Sequence, residues 1–228
     1  KSGKPIFAVA AGLDESSVRS PSEFKGHPDP HIWMDVQLWS SCLQEVVRKM
    51  AKVDPDGADE FSKNADAYAE QLDLLDEYAR KSIASIPPEL RVMVTAHDAF
   101  GYYSRAYGIE VKSAQGITTE SEPGVNDINK LVDFLVARKI PAIFVESSVS
   151  SDNIEALIEG AASKGQKVKV GGELFSDAMG AKGTYEGTYV GMIDHNTTVI
   201  ALALGGEVPV GGMDGRLAGK THAMSGKK

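Results

Sequence analysis

Hydrophobic residues recur every three or four positions through the first third of the chain and fall into short unbroken runs after it. Leu38, Cys42, Val46 and Met50 share one face of a helix predicted from about Asp35 to Lys52. The turn Asp54-Pro55-Asp56-Gly57 breaks that helix. Phe61, Ala65, Tyr68, Leu72, Leu75, Ala79 and Ile83 then keep helical spacing from about Ala58 to Ile86, where Pro87-Pro88 stops it. At 1.5 Å per residue this second helix spans about 40 Å. Globular helices average about a dozen residues, so this length suits a brace between two lobes.

Ile6 to Ala10 reads as a short buried strand, followed by a polar loop from Asp14 to Pro30. Beyond Pro88 strands and helices alternate. Arg91–Thr95 predicts a strand, Ala99–Tyr107 a helix stopped by Gly108, and Val125–Lys139 a helix with Ile128, Leu131, Val132 and Leu135 inward. Pro141–Val145 predicts a strand, Asp152–Lys164 a helix, Val168–Val170 a strand, and Tyr185–Leu204 a last helix ended by Gly205-Gly206. Such alternation specifies an α/β fold with parallel sheet covered by helices. The chain divides into a first part at 1–52, a linking helix at 53–88, an α/β part at 89–206, and a Gly- and Lys-rich tail at 207–228 that is expected to be mobile.

Charge narrows the possible partners. The 228 residues carry a formal net charge of -8 and no basic stripe, which argues against nucleic acid and anionic membrane. An acidic field favours cations weakly and without selectivity. Cys42 is the single cysteine, so no internal disulfide forms, and its place in the helical stripe predicts a buried thiol. No apolar run is long enough to span a bilayer, and no signal-peptide pattern is present. An opening at Lys1, one loop ahead of a strand, fits a whole, a processed or a truncated chain alike.

Open α/β sheets place ligands at the carboxyl ends of their strands. His97 follows the strand ending at Thr95, Glu146 follows Val145, and Asp177 lies in the loop after Val170. Asp29-Pro30-His31 precedes the first helix. Two imidazoles with two carboxylates form a plausible divalent-metal set. Plainer readings stand beside it: a Pro turn with an exposed His31, helix or turn caps at His97-Asp98, Glu146 and Asp177. No tight zinc motif such as H-E-x-x-H or paired C-x-x-C occurs.

Several segments in order carry a more specific signal. Asp29-Pro30-His31-Ile32-Trp33-Met34-Asp35 resembles the Asp-Pro-His-x-Trp-x-Asp segment of the metal-binding solute-binding proteins of bacterial zinc/manganese ABC importers (the cluster A-I family). Val94 to Tyr102 resembles a second signature of that family. Gly116 to Pro123 and Ile143 to Ser148 resemble its C-terminal lobe. Gly172 to Gly180 resembles the loop of its last ligand, and Thr188 to Met192 with His195-Asn196 its final helix. The likeness runs from about Pro5 to Leu204.

The resemblance implies two lobes of parallel sheet flanked by helices and joined by one long, stiff helix, with the N-terminal lobe incomplete. It implies His31, His97 and Asp177 as metal ligands, and Glu146 as an acceptor fixing a ligand imidazole. Histidine at 97 implies zinc as the transported ion, with manganese open. It also implies a further histidine ligand upstream of these residues. That leaves three ligands where zinc prefers four, the fourth place falling to water, a neighbouring chain or His27. The implied role is non-enzymatic: capture of the ion outside the cytoplasm, in the periplasm or on a lipid-anchored precursor, and delivery to the membrane permease of an ABC importer. Affinity is expected to fall as histidines protonate near pH 6.5. The alternatives are a metal-dependent hydrolase with Glu146 as general base and a fragment with an incomplete site. Trp33 is expected beneath the metal loop, His195 in a packing role and His222 inert. Gly180–Gly187 is read as a loop, and Asp73, Asp76 and Glu77 as a solvated face.

Overall fold

Asp35 sets the start of the first helix by accepting the N–H of Leu38 at 3.0 Å. In the computed structural model, which describes residues 5–24, 26–120 and 122–217, α1 runs Val36–Val53 and α2 runs Ala58–Ala84. Their contact is the most extensive between any two helices of the described residues. Both begin within a residue or so of where periodicity predicts. The inner face of α2 is its C-terminal half, where Leu72, Leu75, Ala79 and Ile83 are fully buried. Its N-terminal half is largely open to solvent. Cys42 is buried as expected, with its thiol 3.6 Å from the carbonyl of Leu38. Burial pushes that thiol's pKa up.

The α/β part follows as β1 (Val92–Thr95), α3 (Gly101–Tyr107), β2 (Glu110–Ser113), α4 (Val125–Arg138), β3 (Ala142–Glu146), α5 (Asp152–Ser163), β4 (Lys169–Leu174) and α6 (Tyr189–Ala203). β1 pairs in parallel with β2, from Val92 opposite Glu110 to Thr95 opposite Ser113. β3 pairs in parallel with β4, with a register shift between Ile143 and Phe144. β1 also packs beside β3. The expected α/β class with parallel strands flanked by helices is therefore the observed one. One core joins α1, α2, α3 and α6 with the inward residues Met93, Phe144 and Leu174; a second joins α4 and α5 to Val92, Val94 and Ile143.

Five expectations differ from the structure. Ile6 to Ala10 forms no strand: Ile6 is 92% exposed, and Val9–Gly12 turns as a 3-10 helix. A strand needs a neighbour's hydrogen-bond ladder, and among the described residues no strand precedes Val92. The edge strand β2 was not anticipated, because Glu110-Val111-Lys112-Ser113 offers a single apolar side chain and reads as loop. The last helix begins four residues late, at Tyr189, because Thr188 takes the N-cap role and accepts the N–H of Gly191. Residues 207–217, expected as mobile tail, fold back instead. Leu217 is buried, and the N–H of Met213 donates to the buried Asp194 at 3.0 Å. His222 lies outside the described residues. Asp76 is also buried, paired with Arg80 at 2.7 Å rather than solvated.

Adjacent leucines on α2 test this packing. Leu75→Ala removes a fully buried side chain and is expected to lower unfolding free energy by about 2–5 kcal/mol in urea titration. Leu74→Ala, at a position 62% exposed, is expected to change it by less than about 0.5 kcal/mol.

Candidate metal centre

Aspartate two residues ahead of histidine is the local device that shapes the first loop. The Asp29 Oδ1 accepts the backbone N–H of His31 at 3.0 Å and lies 2.8 Å from its Nδ1. Both residues are buried. With Nδ1 held by a carboxylate, the neutral ring carries its proton there and turns the Nε2 lone pair outward. That Nε2 lies 3.3 Å from Asp177 Oδ1.

The second imidazole is set in the same way from a different part of the chain. His97 sits in the turn leaving β1, and its backbone N–H donates to Glu146 Oε1, at the end of β3, at 2.8 Å. Its Nδ1 lies 2.7 Å from Glu146 Oε2, off the line of an ideal N–H···O bond. Its Nε2 lies 3.5 Å from Asp177 Oδ2. The two imidazole rings stand 5.5 Å apart at 67°. The loop after β4 brings up Asp177, which is 44% exposed and forms the open side of the cluster. One donor atom from each of His31, His97 and Asp177 lies within 4.8 Å of the others.

Two side chains tie the Asp177 loop down. The Trp33 indole N–H donates to the carbonyl of Ser176 at 2.9 Å, and its ring meets His31 edge-on at 5.3 Å. Asn196 of α6 clamps Phe175 from the other side, accepting its N–H at 2.9 Å and donating to its carbonyl at 2.7 Å. Trp33 therefore lies under the loop as anticipated. Asn196 stood in the final-helix signature without its clamping role being legible, and the Arg19 guanidinium 2.7 Å from Asp29 Oδ2 carries no sequence signal of its own. The Asp-x-His spacing at 29–31 is a signal that does point to the Asp29 bond.

Electrostatically the cluster favours a cation. Three carboxylates, Asp29, Glu146 and Asp177, surround two imidazoles, with the Arg19 guanidinium against Asp29. Burial is the largest influence on His97 and favours its neutral form. The Glu146 carboxylate, with help from Asp177, outweighs it and holds the pKa above the ordinary 6.5. Imidazole nitrogen and carboxylate oxygen are donors for zinc and manganese. Around a tetrahedral ion with bonds of about 2.0–2.2 Å, donors sit roughly 3.3–3.6 Å apart. The two histidine–aspartate distances, one to each carboxylate oxygen of Asp177, fall in that range.

The other candidates lie apart from this cluster. His27 is exposed and rests on the ring of Phe24 at 5.3 Å. His195 has its Nε2 2.9 Å from the carbonyl of Glu173 and its ring against Phe175. Gly180–Gly187 is a turn closed by the N–H of Gly180 on the carbonyl of Glu186.

Residues 1–203 match the family described as "Zinc-uptake complex component A periplasmic". The chain is 52% identical over 176 residues to the zinc-binding protein TroA of Treponema pallidum, covering 77% of this chain and 57% of that protein. It is 48% identical over 201 residues to the manganese-binding lipoprotein MntA of Bacillus subtilis, covering 88% of this chain and 65% of that protein. Its fold matches the solved structure of the Treponema pallidum periplasmic zinc-binding protein TroA with a TM-score of 0.85 and 48% identity, over 90% of this chain and 73% of that one. The chain thus spans less than two thirds of the length of these curated relatives. On this match the chain belongs to the ZnuA family of zinc-uptake component A proteins.

Proposed function

We propose that this chain captures a divalent transition-metal ion outside the cytoplasm and hands it to the membrane permease of an ABC importer. The ion is bound as cargo by His31, His97 and Asp177. The observation that carries this reading is the convergence of their three donor atoms, from three separate loops, to within 4.8 Å. Asp29 and Glu146 orient the imidazoles, and Asp177, on the open side, is the ligand through which the ion enters and leaves. A fourth donor, such as water, completes the coordination zinc prefers. Two imidazoles favour zinc; the carboxylate also suits manganese. The named metals of two relatives, zinc for one and manganese for the other, keep both ions in the reading. No helix among the described residues is long and apolar enough to cross a membrane. We place the division between lobes at α2, with residues 1–52 on one side, 89–206 on the other, and the helix as a brace that limits closure.

Calorimetric titration of the full chain with zinc and with manganese is expected to give saturable uptake of one ion. His97→Ala is expected to weaken it by more than about a hundredfold, beyond the effect of an outer residue. Uptake indifferent to that change, or none at all, rules the reading out. Glu146→Gln keeps all three ligands and is expected to weaken zinc binding by about 10–100-fold.

The pH dependence has a defined sign. Metal binding needs neutral imidazole, and the His97 pKa is held above 6.5. Zinc affinity is therefore expected to be full at alkaline pH and to decline on acidification from above 6.5. The metal-free chain carries the opposite dependence from this group. The stability that protonated His97 contributes is fully present below about pH 6.5 and is lost as pH rises through its raised pKa. Isothermal titration across pH 5.5–8.5, paired with urea unfolding of the metal-free chain, reads both signs.

A further inference from the structure

Arg19 lies outside every motif noted above, in the polar loop ahead of α1, yet its surroundings are closely built. Its guanidinium reaches Asp29 Oδ2 at 2.7 Å, the oxygen not used by His31. It occupies the notch left by Gly101 at the start of α3: a Cβ there would fall 1.2 Å from Nη1. Its backbone N–H donates to the Tyr102 hydroxyl at 3.0 Å, and that hydroxyl donates to the carbonyl of Asp29 at 2.9 Å. The guanidinium carbon also stands 5.6 Å from the Tyr102 ring centroid. These contacts join two loops far apart in sequence. Asp29 belongs to the turn of His31; Gly101 and Tyr102 begin the helix that leaves the turn of His97.

We propose that Arg19 is a positioning residue for metal capture. Seated on Gly101, it fixes the Asp29 carboxylate that holds the His31 ring, and so sets the spacing of the two histidines. The proposal rests on the metal-binding reading of His31, His97 and Asp177. The physical reason is the burial of Asp29, whose side chain has no exposure. A buried carboxylate keeps its orientation only while each oxygen has a partner. Arg19 supplies the partner for Oδ2 and leaves Oδ1 to His31. The loop has an independent hold on α3 through Arg105, whose Nη1 donates to the carbonyl of Ser17 at 2.8 Å. Loss of Arg19 is therefore expected to loosen the site without unfolding the loop.

The test is zinc titration of the full chain carrying Arg19→Ala, Arg19→Lys, Gly101→Ala, or Arg19→Ala with Gly101→Ala. Arg19→Ala is expected to weaken zinc binding by about 10–100-fold, and Arg19→Lys, which keeps the charge, by less. Gly101→Ala evicts the guanidinium from the other side and is expected to match Arg19→Ala. The double variant is expected to be no weaker than either alone, since both remove one interaction. Ring nitrogen NMR of the metal-free chain at pH 8 supplies a readout that general loosening does not produce. His31 is expected in a single tautomer protonated at Nδ1, and in a mixture after Arg19→Ala. An Arg19→Ala affinity within twofold of the unaltered chain, or multiplicative losses in the double variant, overturns the proposal. Arg19→Lys and Gly101→Ala decide it should Arg19→Ala fail to fold. Failure of the unaltered chain to bind zinc overturns the metal reading itself and this proposal with it; intact binding beside an unaffected Arg19→Ala overturns this proposal alone.

Discussion

A buried imidazole can serve a cation only if one nitrogen is held and the other is free, and this constraint organises the centre of the protein. Each histidine meets it by giving Nδ1 to a carboxylate: His31 to Asp29, and His97 to Glu146. Both Nε2 atoms then face one further acid, Asp177. Without such pairing, two buried imidazoles with rings 5.5 Å apart would be free to choose tautomers that point their lone pairs away from one another.

The fold serves that constraint by delivering carboxylates from a distance. Asp29 is local to His31, two residues away, but Glu146 stands 49 residues from His97 and reaches it because β1 packs beside β3. The Asp177 loop follows β4, which pairs with β3, and is held by Trp33 from the first part of the chain and by Asn196 from α6. Three segments that share no local structure thus meet at one end of the parallel strands. The core of Leu72, Leu75, Ile83, Phe144 and α6 beneath them keeps their relative positions.

Much of this was legible in the sequence, for reasons that differ by element. α1 and α2 were readable because helical spacing holds along each and part of each stripe is buried: Leu38 and Cys42 on α1, and Leu72, Leu75, Ala79 and Ile83 on α2, while Met50 at the end of the α1 stripe is 43% exposed. The ligand candidates were readable because strand ends in α/β folds carry polar residues with few structural duties there. Their convergence was not readable from spacing, since it depends on strand order and on bonds spanning more than a hundred residues, such as Trp33 to Ser176. The strand expected at Ile6–Ala10 failed because apolar composition specifies burial, whereas a strand also needs a neighbour to pair with. β2 escaped notice for the converse reason: an edge position lets a polar segment complete a ladder begun by Val92–Thr95. Arg19 was invisible because its partner is a backbone notch at Gly101, which leaves no pattern in side-chain chemistry.

X-ray absorption at the zinc edge of the loaded full chain addresses the central claim most directly, because it reports donors around the ion itself. Convergence of His31, His97 and Asp177 on one cation predicts a shell of nitrogen and oxygen at about 2.0–2.2 Å, with outer scattering from two imidazoles that drops to one in His31→Ala. A shell of oxygen alone, or imidazole scattering unchanged by that substitution, would contradict it.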